Sequence, residues 1–326
     1  MNANLPIIDI SALANPDTTQ WQDVVEAIDK ACRDTGFFYV TGHGIPEQQF
    51  ASVEAMASQF FALSEQEKQK INIQHSANHR GWGQVSAEQL DPNGPKDFKE
   101  TFDMALDLSP YHPQVSRCPD LYGPNQYPNL EGFVSLVHQH YELTMQVGLR
   151  ILKAMAIALK QPEDFFTQSF NLPISVLRFI HYPPQESMSN GAGAHTDYGC
   201  ITLLYQDQTG GLQVQGVDGE WVDAPPVENS FVVNIGDLMQ RWTNDRYKST
   251  AHRVTSPTQG VTRFSMPFFV EPDFDTVVKT LDSCLALDEE TRYPPITAGD
   301  WILSRFSDTY EYRSPESQEA ESTIGV

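Results

Sequence analysis

Seven short β-rich runs follow Leu172-Pro173, at 175–182, 201–205, 212–215, 221–223, 231–235, 250–255 and 263–270, and they constrain this chain more than any other feature. Turn signals such as Thr209-Gly210-Gly211 and Val217-Asp218-Gly219 separate the runs, so each is a strand too short to be anything else. Many short strands bury their apolar faces as a β-sandwich or a jelly-roll barrel. Asp237 to Trp242 reads as a single helical turn within that barrel.

The chain ahead of these strands has a different character. Trp21, Val24, Val25, Ile28, Ala31 and Cys32 follow helical spacing, and Gly36 stops that helix before the β-branched and aromatic run Phe37-Phe38-Tyr39-Val40. Residues 47 to 63 and 132 to 160 predict further helices, the second rich in Leu, Ala and Met with no internal proline. Between them, residues 75 to 130 are dense in Pro, Asn, Asp and Gly, which predicts a long irregular connection with short elements, of the kind that often lids a site. The residues after Tyr312 form a polar tail.

Charge excludes some functions. With 43 acidic against 21 basic residues the formal net charge is -22, and the resulting field repels phosphate backbones and anionic membrane surfaces. A nucleic-acid partner is not expected. Apolar runs such as Phe37 to Val40 and Phe231 to Val233 fall far short of the roughly 20 residues that span a bilayer, so no membrane partner is expected either. MNANLPIIDI lacks the pattern of a secretory leader. Cys32, Cys118, Cys200 and Cys284 lie without Cys-x-x-Cys spacing, which fits reduced thiols and a cytoplasmic location. No heptad pattern announces an interface, so a monomer is expected.

The chemistry-bearing residues lie in the strand-rich half. In Gly193-Ala194-His195-Thr196-Asp197-Tyr198-Gly199 an imidazole and a carboxylate are two residues apart, so an extended backbone points both to one face. His252 follows 55 residues after Asp197, in another expected strand. Two imidazoles and one carboxylate on one face of an octahedral ion leave three positions open, the arrangement of non-haem iron(II) oxygenases. A catalytic zinc also accepts such a set. Arg263-Phe264-Ser265, eleven residues after His252, sets a guanidinium and a hydroxyl on one strand face, a grip suited to the distal carboxylate of a dicarboxylic co-substrate.

With these motifs the chain resembles the isopenicillin N synthase-like family of iron(II)/2-oxoglutarate-dependent dioxygenases. The resemblance also covers Leu5-Pro6-Ile7-Ile8-Asp9, Asp34-Thr35-Gly36-Phe37-Phe38, Gly42-His43-Gly44-Ile45, Lys96-Asp97-Phe98-Lys99-Glu100, Arg178 to Pro184, Gly210-Gly211-Leu212-Gln213-Val214 and Val233-Asn234-Ile235-Gly236-Asp237. It implies a mainly β fold with flanking helices around a double-stranded β-helix (jelly-roll) core. It implies iron(II) on His195, Asp197 and His252, and 2-oxoglutarate on Arg263, Ser265 and Tyr182. It further implies O2 as the oxidant, with succinate and CO2 released as a small organic substrate is hydroxylated, desaturated or cyclised. Some relatives carry asparagine two positions before the tyrosine, where this chain has Ile180. Halogenases of the wider superfamily have a small residue in place of the carboxylate ligand, and Asp197 leaves no such vacancy.

By family-like position, the substrate wall is expected at Arg80 to Gly83, Phe102, Met104 and Phe269. His43, His75, His79, His112, His138, His140 and His181 are assigned no metal role, with His75, His79 and His112 expected at the surface. The expected organisation is 1–120 as a helix and strand region that packs on the core and contributes a lid, 121–312 as the dioxygenase domain with its long helix, and 313–326 as the tail. Rival readings are an oxidase of the same fold that does not use 2-oxoglutarate, and a small-molecule binding protein without turnover.

Overall fold

The computed structural model describes residues 5–14, 19–91, 93–185, 190–255 and 260–309; the polar tail expected from residue 313 lies outside them. The first half of the chain runs β1 (Ile7–Asp9), α1 (Thr19–Asp34), β2 (Phe37–Thr41), α2 (Glu47–Phe61), α3 (Glu65–Gln69), β3 (Gly81–Gly83), β4 (Glu100–Ala105), α4 (Pro113–Arg117) and α5 (Phe133–Ala158). The second half runs β5 (Val176–Tyr182), β6 (Asn190–His195), β7 (Ile201–Gln206), β8 (Leu212–Gln215), β9 (Trp221–Asp223), β10 (Phe231–Ile235), α6 (Asp237–Trp242), β11 (His252–Thr255) and β12 (Arg263–Val270). A last helix, α7, spans Ala298–Thr309.

Two sheets face each other, as expected of a jelly roll. The larger has eight strands in the order β1-β2-β10-β7-β12-β5-β4-β3, and the smaller has four in the order β6-β11-β8-β9. Both faces of the large sheet are covered, so its central strands read as unbroken buried runs such as Phe231–Ile235. Period-two alternation sends their side chains to two different cores. On β2, Phe37 and Tyr39 point into the space between the sheets with Ile180, Leu212, Val232 and Val254, whereas Phe38 and Val40 join the larger helix-side core.

α5 lies across that helix side, where Tyr141 packs edge-on against Phe268 with ring centroids 4.9 Å apart. Gly148 allows the close approach: a Cβ there would meet Val270 Cγ2 at 2.8 Å. β3 and β4 are short elements of the kind expected within the irregular stretch, and β4 joins the large sheet beside β5. Two elements differ from the sequence expectation. β6 is a strand rather than a mere extended segment. α7 was not foreseen, although Ala298 and Ile302 are buried on one of its faces.

Candidate active site

Strand register assembles the metal-ligating set. β6 and β11 pair antiparallel with His195 opposite His252, so the two imidazoles are cross-strand neighbours on one face, with ring centroids 4.3 Å apart. Asp197 follows in the turn after β6, and its Oδ1 lies 3.8 Å from His195 Nε2 and 3.7 Å from His252 Nε2. One ligand atom from each of the three residues falls within 4.8 Å of the others.

The remaining polar atoms of the three side chains are already committed. His195 Nδ1 lies 2.7 Å from the Gly193 carbonyl and His252 Nδ1 3.3 Å from the Thr250 carbonyl. A proton on each Nδ1 satisfies those carbonyls and leaves both Nε2 lone pairs facing inward. Asp197 Oδ2 accepts from Asn234 Nδ2 at 2.7 Å and from Thr202 Oγ1 at 2.5 Å, which leaves Oδ1 for the same central point. Burial, reinforced by His252, pushes the His195 imidazole far below its ordinary range and so keeps it neutral. Burial would raise Asp197, but His252, His195 and the two hydrogen bonds outweigh it and hold the carboxyl ionised. Two imidazole nitrogens and an ionised carboxylate oxygen that converge within 4.8 Å of one another fit a divalent iron.

A cavity of about 110 Å³ opens from this focus, several times what one water molecule needs. Alternate residues of β5 (Val176, Arg178, Ile180, Tyr182) and of β12 (Arg263, Ser265, Pro267, Phe269) line it. At one end Arg263 is fully buried. Its Nε donates to the Gly210 carbonyl at 2.6 Å and its Nη1 to Ser265 Oγ at 3.0 Å, and the guanidinium stacks on Tyr182 4.7 Å from the ring centre. No carboxylate of the described residues pairs with it, so a buried cation faces the cavity without a counter-ion.

Residues 5–130 match the family model described as the N-terminal region of a non-haem dioxygenase in morphine synthesis, and residues 173–272 match that of the 2OG-Fe(II) oxygenase superfamily. A 2-oxoglutarate-Fe(II) type oxidoreductase, hxnY, from Emericella nidulans is 35% identical over 315 residues, 94% of this chain and 90% of that protein. The chain belongs to the 2OG-Fe(II) oxygenases. A homoarginine-6-hydroxylase from Arabidopsis thaliana is 35% identical over 319 residues, 93% of each chain. The crystal structure of a full-length Neurospora crassa protein in complex with alpha-KG and thymine superposes with a TM-score of 0.82 at 28% identity, covering 93% of this chain and 96% of that one.

In this 2OG-Fe(II) oxygenase the fold unites the six residues expected to serve metal and co-substrate. Tyr182 stands directly opposite Arg263, and Ile180 opposite Ser265, so the apolar Ile180 lines the cavity near its Arg263 end. The expected substrate wall is corrected. Phe269 lines the cavity, but Arg80, Trp82, Phe102 and Met104 do not. Register gives the reason: Phe102 lies opposite Phe179 and Met104 opposite Leu177, on the helix-side face, while Arg178 and Ile180 take the cavity face. Trp82 Nε1 donates to Glu100 Oε2 at 2.8 Å, and Arg80 donates to the carbonyls of Asn78, His79 and Leu121.

Phe102 instead packs among Phe60, Phe133 and Phe179. Phe102→Ala is therefore expected to cost about 3–5 kcal/mol of folding stability in a denaturant titration, while the half-saturating 2-oxoglutarate concentration of the folded fraction stays unchanged.

His79, expected at the surface, is another correction. It is buried, lines the cavity and packs on Phe306 of α7 with ring centroids 4.6 Å apart. Its placement depends on α7, which also contributes Thr309 to the cavity, bonded to the Tyr198 hydroxyl. His43 is occupied by backbone groups of Ile45 and Asn229, as expected of a structural histidine. Thr202 and Asn234, the two donors on Asp197, were not singled out from sequence. They stand opposite each other across β7 and β10, a relation visible only once the strands pair.

Proposed function

We propose that His195, Asp197 and His252 hold the iron(II) of this dioxygenase, and that Arg263, Ser265 and Tyr182 bind the distal carboxylate of 2-oxoglutarate. The observation that carries the reading is the uncompensated guanidinium of Arg263, buried at the end of the cavity that begins at the triad. A buried charge is stable only when paired, and a co-substrate carboxylate is the missing partner.

When bound, the metal and the co-substrate supply O2 activation coupled to decarboxylation. The chain supplies placement. Arg263 offers a planar fork whose orientation is fixed by the Gly210 carbonyl on one side and the Tyr182 ring on the other, and Ser265 adds a hydroxyl donor. Leu204, Leu212, Val254, Ala192 and Ile180 wall the cavity with apolar surface, which excludes water from the reacting atoms. For hydroxylation, the outcome that the homoarginine hydroxylase favours, the balance is R–H, 2-oxoglutarate and O2 giving R–OH, succinate and CO2.

The test is O2 uptake by iron-loaded protein with and without 2-oxoglutarate, with succinate measured. Succinate formed in step with O2 consumed supports the reading. O2 uptake with ascorbate but no succinate would favour the oxidase alternative, and no uptake with any reductant would favour a binding protein.

Asn234→Ala and Thr202→Val each leave Asp197 Oδ2 short of one donor. Each is expected to weaken iron(II) binding by about 10- to 100-fold, read by metal titration; affinity unchanged in both would show that the carboxylate needs neither. Residues 1–120 act in this account as the region that packs on the 121–312 core and contributes part of the cavity wall through His79, Leu90 and Lys99. The substrate is a small organic molecule. No helix of the described residues is long and apolar enough to cross a membrane; the four free cysteines support a reducing compartment such as the cytoplasm, and a monomer is the default reading.

A further inference from the structure

Among the described residues, the Asp, Glu, Lys and Arg side chains that line the cavity, the ligand Asp197 aside, are paired, with two exceptions at its opposite ends. Asp103 is gripped by Arg178, Nε to Oδ1 at 2.6 Å and Nη2 to Oδ2 at 2.8 Å. Glu88 takes Arg178 Nη1 at 2.9 Å and Lys99 Nζ at 3.0 Å, and Asp97 takes Lys99 at 3.1 Å. Arg263 is the cationic exception, answered by 2-oxoglutarate. Glu271 is the acidic one, a carboxyl that burial holds largely protonated until a cation reaches it.

Glu271 is 6% exposed and is one of the residues that line the cavity. Its backbone N–H and C=O are both taken by the Ser175 hydroxyl, but its carboxyl oxygens have no hydrogen bond or ion pair among the described residues. Arg80 acts on it only through space, and burial together with Asp197 pushes the carboxyl up to about 8. Eight residues separate it from Arg263 along the same strand direction, roughly 26 Å at about 3.3 Å per residue. It abuts Gly199, where a Cβ would come within 2.6 Å of Glu271 Cγ. The carboxyl thus stands on the triad's side of the cavity, away from the co-substrate end.

We propose that Glu271 is the residue that selects this enzyme's substrate, by pairing with a cationic nitrogen, an amine or guanidinium, on the molecule to be oxidised. The proposal rests on the cofactor reading above, because the cavity serves a substrate only if iron and 2-oxoglutarate occupy the other end. A substrate cation gives Glu271 the counter-ion it lacks, as 2-oxoglutarate does for Arg263. Phe269, two positions earlier on the same face, and Phe306 supply aromatic surface for such a cation and its carbon chain. The net charge of -22 draws cations toward the protein and disfavours anions. Relatives of this chain act on or bind both a guanidinium compound and a neutral base, so the choice has to come from this chain's own residues.

The test uses the full chain loaded with iron(II) and 2-oxoglutarate without O2, and calorimetric titration with hexylguanidinium, hexylammonium, hexylurea and hexanoate. The visible charge-transfer band of the iron–2-oxoglutarate chelate checks that each sample is folded and loaded. The two cations are expected to bind more tightly than hexylurea by about tenfold or more, with hexanoate weakest. Glu271→Gln should erase that preference and Glu271→Asp should keep most of it. Hexylurea or hexanoate binding as well as the cations, no cation binding to protein that shows the band, or a preference undiminished in Glu271→Gln would overturn the proposal. A wild type that never shows the band would instead overturn the cofactor reading, and this proposal with it.

Discussion

Asp197→Ala is expected to lower iron(II) affinity by more than about 100-fold, because losing even a group that merely orients a ligand costs about 10- to 100-fold and Asp197 is the set's only carboxylate. The two imidazoles would remain, fixed by the Gly193 and Thr250 carbonyls, but two neutral ligands do not balance a divalent ion in a buried site. Succinate formation should vanish with the metal. Equilibrium dialysis of iron(II) without O2 checks the first effect separately from turnover. Asp197→Glu, which keeps the charge but lengthens the arm past the reach of Asn234 and Thr202, should fall between wild type and alanine. Near-normal affinity in Asp197→Ala would place the metal elsewhere.

Arg263→Ala is expected to raise the half-saturating 2-oxoglutarate concentration with iron binding intact. Removing one partner of a buried charge pair costs about 2–5 kcal/mol, or roughly 30- to 4,000-fold in affinity. Arg263→Lys keeps the charge but loses the fork, its bond to the Gly210 carbonyl and its stacking on Tyr182, and should recover only part of the loss. If Arg263→Ala instead abolished iron binding, the guanidinium would be holding the barrel together rather than a ligand.

The site was legible in sequence wherever strand alternation alone fixes direction. His195 with Asp197, and Arg263 with Ser265, each sit two residues apart, so a single extended segment sets their common face. Placing His252 beside them took only the expectation that a barrel returns its strands. What sequence did not yield depends on register between distant strands. Phe102 and Asp103 are neighbours, and nothing local decides which of them faces the cavity; the pairing of β4 with β5 decides it, turning Asp103 inward to Arg178 and Phe102 outward. Thr202 and Asn234 look like ordinary polar residues inside apolar strands until β7 and β10 bring both to Asp197. Glu271 carries no local signal at all; its meaning comes from the counter-ions that Glu88, Asp97 and Asp103 have and it lacks. α7 went unread although Ala298, Trp301, Ile302 and Phe306 follow helical spacing, because it is short and lies between a turn-rich stretch and a polar tail.

The central claim is that one cavity binds iron through His195, Asp197 and His252, and 2-oxoglutarate through Arg263, Ser265 and Tyr182. Its most direct test is to titrate the protein, free of O2, with iron(II) and then 2-oxoglutarate while following visible absorbance. The account predicts the weak charge-transfer band of an iron(II) chelate in wild type, its absence in Asp197→Ala, and its appearance in Arg263→Ala only at far higher 2-oxoglutarate. Iron binding with no band at any 2-oxoglutarate concentration would contradict it.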